Sequence, residues 1–572
     1  MEEEVEKRKN KLKNLCFGWI KDNYDKVFLA VLIAAFVLRM YIFFQTMNQP
    51  LWWDEADYLS TAKRWGLGLD IRDIWYYRRG FLFPLIGALF FKLGIGEIAM
   101  RFLEVLFSTG IVAVSYSIIS KMFNKKLALF ASVCLTASWI LLFFTGRLLT
   151  DIPAAFFLLL SLLFFWKGYV LKEGNKFLYL FGACFALAVL TRMQSLMLAP
   201  PFLIYILLKE KLKFFKNKQL WITLGIFLLF LVPYLIFYSM HYGNPVLDLA
   251  SHYLGIESAS HPVASGNVRA FSLAMFKYFV GDNGDGLSYM MYFPMFILLL
   301  IGIIYFLGDL IIGLDKIQKD DVLKNKFFVV LWILSLFLIM GYIGSVSYVE
   351  QRYITAALPF LFLIAVSPLI FVEKLLAKYL KLNKKVIFAL LFAVLILCMV
   401  PNFIWSNNLV EGKLTSYSEI RQAGELIKAD SNPGDIVMSN SLPQITYYSE
   451  RSTYPFDPLG EGKARGDKSL LNYSEGEAGF YEFVKDKKPK YIAASLFESD
   501  PEWILTQGTQ NGLSYIYMPF FNSSMVYNSQ ASQIASIDIK TEVKKDGMTL
   551  KLFYPPSVDN IDGVFIYKVE YS

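Results

Sequence analysis

Eleven apolar stretches, each close to the length needed to cross a bilayer, dominate the sequence: 27–44, 98–120, 127–146, 151–168, 177–193, 195–208, 219–240, 289–312, 327–345, 353–371 and 386–405. A helix rises 1.5 Å per residue, so about 20 apolar residues traverse roughly 30 Å of hydrocarbon. Backbone polar groups left unpaired there are so costly that such spans are helical. The stretches at 177–193 and 195–208 are short and run together, which leaves their boundaries open. With 56% hydrophobic and only 18% charged residues, the chain departs from soluble domains, which carry about 25% charge. A wholly soluble enzyme is excluded. Cys16, Cys134, Cys184 and Cys398 lie in or beside apolar segments without CxxC spacing, which excludes a disulfide framework or a zinc ribbon. Three histidines in all argue against a His-rich metal enzyme.

The opening MEEEVEKRKNKLK is followed by an apolar run that continues into Arg39 without a small-residue cleavage site, so the first helix is expected to be a retained anchor. The further run Phe81–Leu93 has 13 residues and as a helix would reach only about 20 Å. If it does not cross, the segments 1–26, 121–126, 167–176, 209–218, 315–326 and 373–385 share one side and hold 27 Lys and Arg. The positive-inside rule makes that side cytoplasmic. The expected protein is a multi-pass plasma-membrane chain with about eleven or more spans, its N-terminus (1–26) cytoplasmic. Residues 27–405 form the membrane domain, which includes a first external loop (45–97) with juxtamembrane helices and a later external loop (241–288).

Residues 406–572 break with that composition. Helix-like SEIRQAGELIKAD (418–430) and GFYEFVKDK (479–487) precede strand-like DIVMS (435–439) and YIAAS (491–495), and alternating segments follow at 534–543, 548–554 and 563–571. This order predicts an extracytoplasmic α/β or α+β domain. The sequons at 472–474 and 522–524 lie in it, as short motifs of low specificity.

The external segments hold the residues suited to chemistry. In QPLWWDEADYLSTAKRWGLG (49–68), Asp54, Glu55 and Asp57 open a helix whose Tyr58, Leu59, Ala62 and Trp65 share a face. Such a helix lies flat at the interface, with carboxylates favoured in its first turn. The plain reading is a cap on a surface helix; the functional reading is a carboxylate held where a lipid-borne head group arrives. Arg147 and Asp151 are four apart between two apolar helices, Arg192 and Gln194 sit where two short helices meet, and Glu350, Arg352 and Tyr353 open another. Each alone fits a helix-end pair or a snorkelling arginine. Together, Arg147, Arg192 and Arg352 are the basic residues of three short external turns, and arginine grips phosphate bidentately while staying charged. His241, His252 and His261 fall in the 241–288 loop at spacings of 11 and 9, which match no helical metal motif. The sequence assigns no metal ligands; it leaves room for a divalent ion without requiring one.

Asp54-Glu55 after the first helix, RRGFLFPLIGALFFKLG (78–94), Glu97 and Arg101, Arg147 with Asp151, TRMQ (191–194) and QRY (351–353) occur in this order. The series resembles the polyprenyl- or dolichyl-phosphate-sugar-dependent glycosyltransferases of the GT-C type. Within these it is similar to the protein O-mannosyltransferases and the lipid A aminoarabinose transferases, in their prokaryotic branch. The resemblance covers about 27–405. It implies an enzyme moving a sugar, with mannose as the family-level expectation, from the lipid phosphate to a hydroxyl of a glycan, lipid or protein acceptor at the external face. Asp54 would be the general base of an inverting single displacement, with Glu55 and Asp151 as further catalytic carboxylates. Arg147, Arg192, Arg352 and Tyr353 would bind the donor phosphate, and Tyr58, Arg79, Gln194 and Glu350 would contact substrate. The 241–288 loop is too short for the β-trefoil of eukaryotic protein mannosyltransferases, which weighs against a protein acceptor. Partners are the lipid-linked donor, the acceptor and the bilayer; nothing points to nucleic acid.

Two rivals share much of this pattern. A flippase for lipid-linked sugars would also have many spans, but transporters place ionisable groups near the midplane and often show internal repeats. An oligosaccharyltransferase would be expected to carry a WWDYG-like motif, and 406–572 has none.

Overall fold

Each of the eleven apolar stretches is mainly helical over its described residues, with breaks at Ser138, Arg192 and Ser367–Pro368. The computed structural model describes residues 20–76, 79–245, 247, 291, 293–343, 350–510, 513–528, 533–555 and 563–572. Among these, seven helical segments are long and apolar enough to cross a membrane, and Lys125–Ala137 with Trp139–Thr145 makes an eighth if the pair, bent by 50°, counts as one span. Asn175–Thr191 and Ala199–Glu210 are shorter, at 17 and 12 residues. The ambiguous run at 81–93 is an 11-residue helix, Leu82–Lys92, about 16 Å long and too short to span.

The chain divides into two compact units: Met1–Met47 with Arg101–Gly412, and Asn48–Met100 with Lys413–Ser572. This division differs from the expected one at 405/406. The first loop groups with the C-terminal residues, not with the spans.

In the first unit, the bend at Ser138 interrupts the helical hydrogen-bond ladder. The fully buried Arg39 fills the gap: its guanidinium donates to the Leu135 carbonyl at 3.3 Å, the Thr136 carbonyl at 3.2 Å and the Ser108 hydroxyl at 2.7 Å. Thr145, at the end of the bent pair, donates to the same Ser108 hydroxyl at 2.7 Å. A buried charge survives only when paired or fully hydrogen-bonded, so the break and the cation stabilise each other.

The second unit begins with the helix Trp53–Leu67. Gly68 closes it in the left-handed region at φ 66°, a conformation open to a residue without Cβ. Leu82–Lys92 lies close against it, since a Cβ on Gly87 would stand 2.8 Å from that of Ala62. Among its described residues, the C-terminal part holds ten strands. β1 (Ile436–Met438), β2 (Ser452–Tyr454), β3 (Tyr491–Ser495), β8 (Glu542–Lys545), β9 (Met548–Tyr554) and β10 (Val564–Tyr571) form a mixed sheet in the order β2-β1-β3-β10-β9-β8. β1 is parallel to β2 and β3, whereas β10 is antiparallel to β3 and β9. β3 alternates sides: Ile492 and Ala494 join one core with Phe480, Phe483 and Phe520, while Tyr491 and Ala493 join another with Ile420, Ile427 and Ile445. That two-sided burial explains why YIAAS reads as an unbroken apolar run. β4 (Thr506–Gln510), β5 (Leu513–Met518), β6 (Ser523–Asn528) and β7 (Gln533–Asp538) make an antiparallel meander.

Candidate active site

The candidate residues fall into two clusters, one in each unit. In the second unit, the backbone N–H of Trp52 donates to Glu55 Oε2 at 2.9 Å, so the buried Glu55 helps start the helix. Asp54, one residue earlier, has a side chain 31% exposed and pairs through Oδ1 with Arg79 at 2.8 Å. The other arm of Arg79 reaches Asp57 Oδ2 at 2.8 Å, and Arg465 holds Asp57 Oδ1 at 2.8 Å. Asp57 itself is 1% exposed. Burial works against the charge of Arg79, but Tyr58, Asp57 and Asp54 outweigh it and hold the guanidinium above the usual arginine range. Tyr58 lies under the Arg79 guanidinium at 5.0 Å and packs edge-on to Phe83. Arg465 ends the helix Pro458–Arg465 and also pairs with Glu461 and the Ile74 carbonyl. The sequence places Asp57 in the acidic start of this helix without a site role, and it does not single out Arg465.

In the first unit, Asp151, Arg192, Gln194, Arg352 and Tyr353 line one small cleft of about 50 Å³. Asp151 sits in the first turn of the helix Asp151–Phe165, where the dipole favours a carboxylate. Arg192 is held extended between two helical segments, at φ −149° and ψ 112°, and pairs with Asp151 Oδ1 at 2.7 Å. Arg352 approaches Asp151 Oδ2 at 3.8 Å and pairs with Glu350 at 3.0 Å. Both guanidinium groups face the Tyr353 ring, at 4.8 and 5.5 Å. The ring fixes their planes, and both residues line the same cleft as Asp151. Such an arrangement suits an anion that exchanges with a carboxylate for two arginines.

Arg147 is buried in the turn between Trp139–Thr145 and Asp151–Phe165 and does not line this cleft. Arg101 braces that turn by donating to the Gly146 carbonyl at 3.3 Å. His241 Nδ1 lies 2.9 Å from the Phe237 carbonyl oxygen; His252, His261 and nearly all of the 241–288 loop lie outside the described residues. Among the described residues no three His, Cys, Asp or Glu side chains gather as a metal site.

Residues 78–237 match the family described as dolichyl-phosphate-mannose-protein mannosyltransferase. That segment holds Arg79, Arg147, Asp151, Arg192 and Gln194. The fold is similar to that of apo ArnT from Cupriavidus metallidurans, with a TM-score of 0.56 and 16% identity over 84% of this chain and 93% of that one. Family match and fold agree. The chain has the fold of GT-C glycosyltransferases, and its segment 78–237 matches a glycosyltransferase family. ArnT bound to undecaprenyl phosphate is similar at a TM-score of 0.55 and 15% identity, over 86% of this chain and 96% of that one. The archaeal oligosaccharyltransferase AglB from Archaeoglobus fulgidus, in complex with an inhibitory peptide and a dolichol-phosphate, aligns at 0.54 and 14% identity, over 91% and 76%. No curated protein matches the sequence.

Proposed function

We propose that this GT-C enzyme transfers a single sugar from a polyprenyl- or dolichyl-phosphate carrier to an acceptor hydroxyl at the external membrane face. The observation that carries the reading is the Asp151 cleft, where two arginines on one tyrosine ring face a carboxylate that is fully bonded to only one of them. Donor phosphate displaces Asp151 from the guanidinium edges, and Arg192 and Arg352 stabilise the charge that grows on the leaving phosphate. Arg147 supports the turn that carries Asp151. Asp54, the accessible carboxylate of its cluster, takes the proton as the acceptor oxygen bonds to the anomeric carbon; the carbon–oxygen bond to phosphate breaks, and configuration inverts. Arg79 orients Asp54, Tyr58 supports Arg79, and Gln194 and Glu350 line or rim the donor cleft. The lipid phosphates in the ArnT and AglB structures support a lipid-phosphate donor, and the name of the matching family supports mannose.

A second reading, transfer of a whole glycan to asparagine, draws on the likeness to AglB. One experiment separates the two. Purified protein is incubated with polyprenyl-phosphate sugars and a membrane lipid extract, or with a sequon peptide and a lipid-linked oligosaccharide, and products are identified by mass spectrometry. A monosaccharide on a hydroxyl acceptor is expected. A glycopeptide carrying the whole oligosaccharide would replace the first reading with the second.

A further inference from the structure

Away from the Asp151 cleft, the first unit carries an apolar groove of about 430 Å³ between the helices Asn23–Thr46, Lys125–Ala137 and Lys384–Glu411. Val31, Ala34, Val133, Phe392 and Met399 are among its walls. A second pocket, of about 690 Å³, opens where the same three helices begin, bounded by Tyr24, Asn124, Lys125 and Lys384 and by Lys374 and Lys378 of the helix Leu369–Tyr379. One aromatic ring packs on a wall residue of each space. Phe388 lies between Lys384 and Phe392 on one helix, and its ring contacts Tyr24 at 5.7 Å, Phe130 at 5.5 Å and Phe392 at 5.9 Å.

The charges in the second pocket are unequally satisfied. Lys125 pairs with Asp22 at 2.8 Å and Asp25 at 2.7 Å, and Lys126 pairs with Glu373 at 2.6 Å. Among the described residues, Lys374, Lys378 and Lys384 make no ion pair, and all three are exposed. Three unmatched cations where the helices that wall an apolar groove begin have the chemistry to hold a lipid head group above its tail. Basic pockets between spanning helices take anionic head groups for this reason. The place is also distinct from the donor cleft. Lys125 starts the bent helix pair that ends at Thr145, and Asp151 comes after that far end.

We propose that groove and pocket form one site for an anionic phospholipid, its phosphate among Lys374, Lys378 and Lys384 and one acyl chain along Val31, Val133 and Phe392. The site is independent of the sugar-transfer chemistry. A basic residue near an anionic lipid contributes about fivefold in affinity, so losing three lysines costs on the order of a hundredfold.

The test uses the full-length protein in phosphatidylcholine nanodiscs titrated with phosphatidylglycerol, with retained lipid counted by native mass spectrometry. The triple variant K374Q/K378Q/K384Q is expected to lose phosphatidylglycerol retention about a hundredfold. The equally neutralised control K211Q/K213Q/K216Q, on an exposed turn of the same unit, is expected to keep it. Ala34→Phe, which narrows the groove with every lysine present, should also lose the lipid while melting as wild type. Equal losses in both triple variants would reduce the effect to general surface charge and overturn the site. Retention by Ala34→Phe would remove the chain from the groove. Competition by inorganic phosphate alone, or equal retention of phosphatidylcholine, would show that the pocket does not select an anionic lipid.

Discussion

Two aspartates in this protein each face two arginines, and they are used in opposite ways. Asp57 is closed on both oxygens, at 2.8 Å to Arg79 and 2.8 Å to Arg465, and is 1% exposed. Asp151 is bonded on one side at 2.7 Å, stands off at 3.8 Å on the other, and opens on a cleft. Short ion-pair contacts on both oxygens make the first a joint between chain segments. Slack geometry leaves the second able to give up its arginines to another anion. Composition alone does not distinguish them; the second distance and the adjoining space do.

The largest expected effect lies beside the closed joint. Asp54→Asn should lower turnover by about 10²- to 10⁴-fold with donor binding and melting temperature kept, since Asp54 is the accessible partner of Arg79. A turnover above about a tenth of wild type removes it as the base. The joint itself should show in stability: Asp57→Ala leaves Arg79 and Arg465 facing each other, and breaking a buried pair costs about 3–5 kcal/mol. Thermal melting of the purified enzyme checks this. Asp151→Asn should instead melt close to wild type while transfer slows, and a loss of stability like that of Asp57→Ala would erase the contrast drawn above.

Smaller effects sharpen it further. Arg192→Lys and Arg352→Lys keep the charge but lose the bidentate fork, so kcat/KM for the donor should fall roughly ten- to hundredfold, the equivalent of about 1.5–3 kcal/mol, with acceptor KM spared. Arg147→Lys should give the weaker response, because Arg147 does not line the cleft. Wild-type donor kinetics in the first two would move the phosphate site elsewhere.

The smallest effect concerns carboxyls buried with no arginine at all. Burial pushes Asp500 up to about 7, against the opposing Ser495 N–H, and burial with the nearby Asp500 pushes Glu498 up to about 7. Since both pKa values are raised on folding, the stability they contribute is full below about pH 4 and is lost as pH rises through about 7. Melting temperature should fall between about pH 4 and 7, and Asp500→Asn should flatten that slope. An unchanged slope in the variant would assign it to other groups.

Much of this was legible locally. Trp53–Leu67 follows from three acidic residues ahead of an amphipathic run, and β3, β9 and β10 from uninterrupted or alternating apolar residues. Asp151, Arg192 and Arg352 stood out because a charged residue in a short turn between apolar helices has few ordinary uses. Asp57–Arg465 did not, because its partners are 408 positions apart and each reads alone as a solvated helix residue. Ser452–Tyr454 and β4 were missed for another reason: their Ser, Thr, Gly and Gln content carries no hydrophobic period of two. The grouping of the first loop with the C-terminal residues has no local signal at all, since tertiary pairing alone creates it.

That grouping also sets an order of events during synthesis. The ribosome makes Asn48–Met100 first and reaches the residues that complete its unit only after all of Arg101–Gly412 has been made and threaded. At about 5–20 residues per second, the interval is tens of seconds, during which Asp57 and Arg79 exist without Arg465. Until then the loop is a half-built fold whose buried charge is carried by water. A hybrid enzyme that exchanged the C-terminal residues without the loop would make the wait permanent.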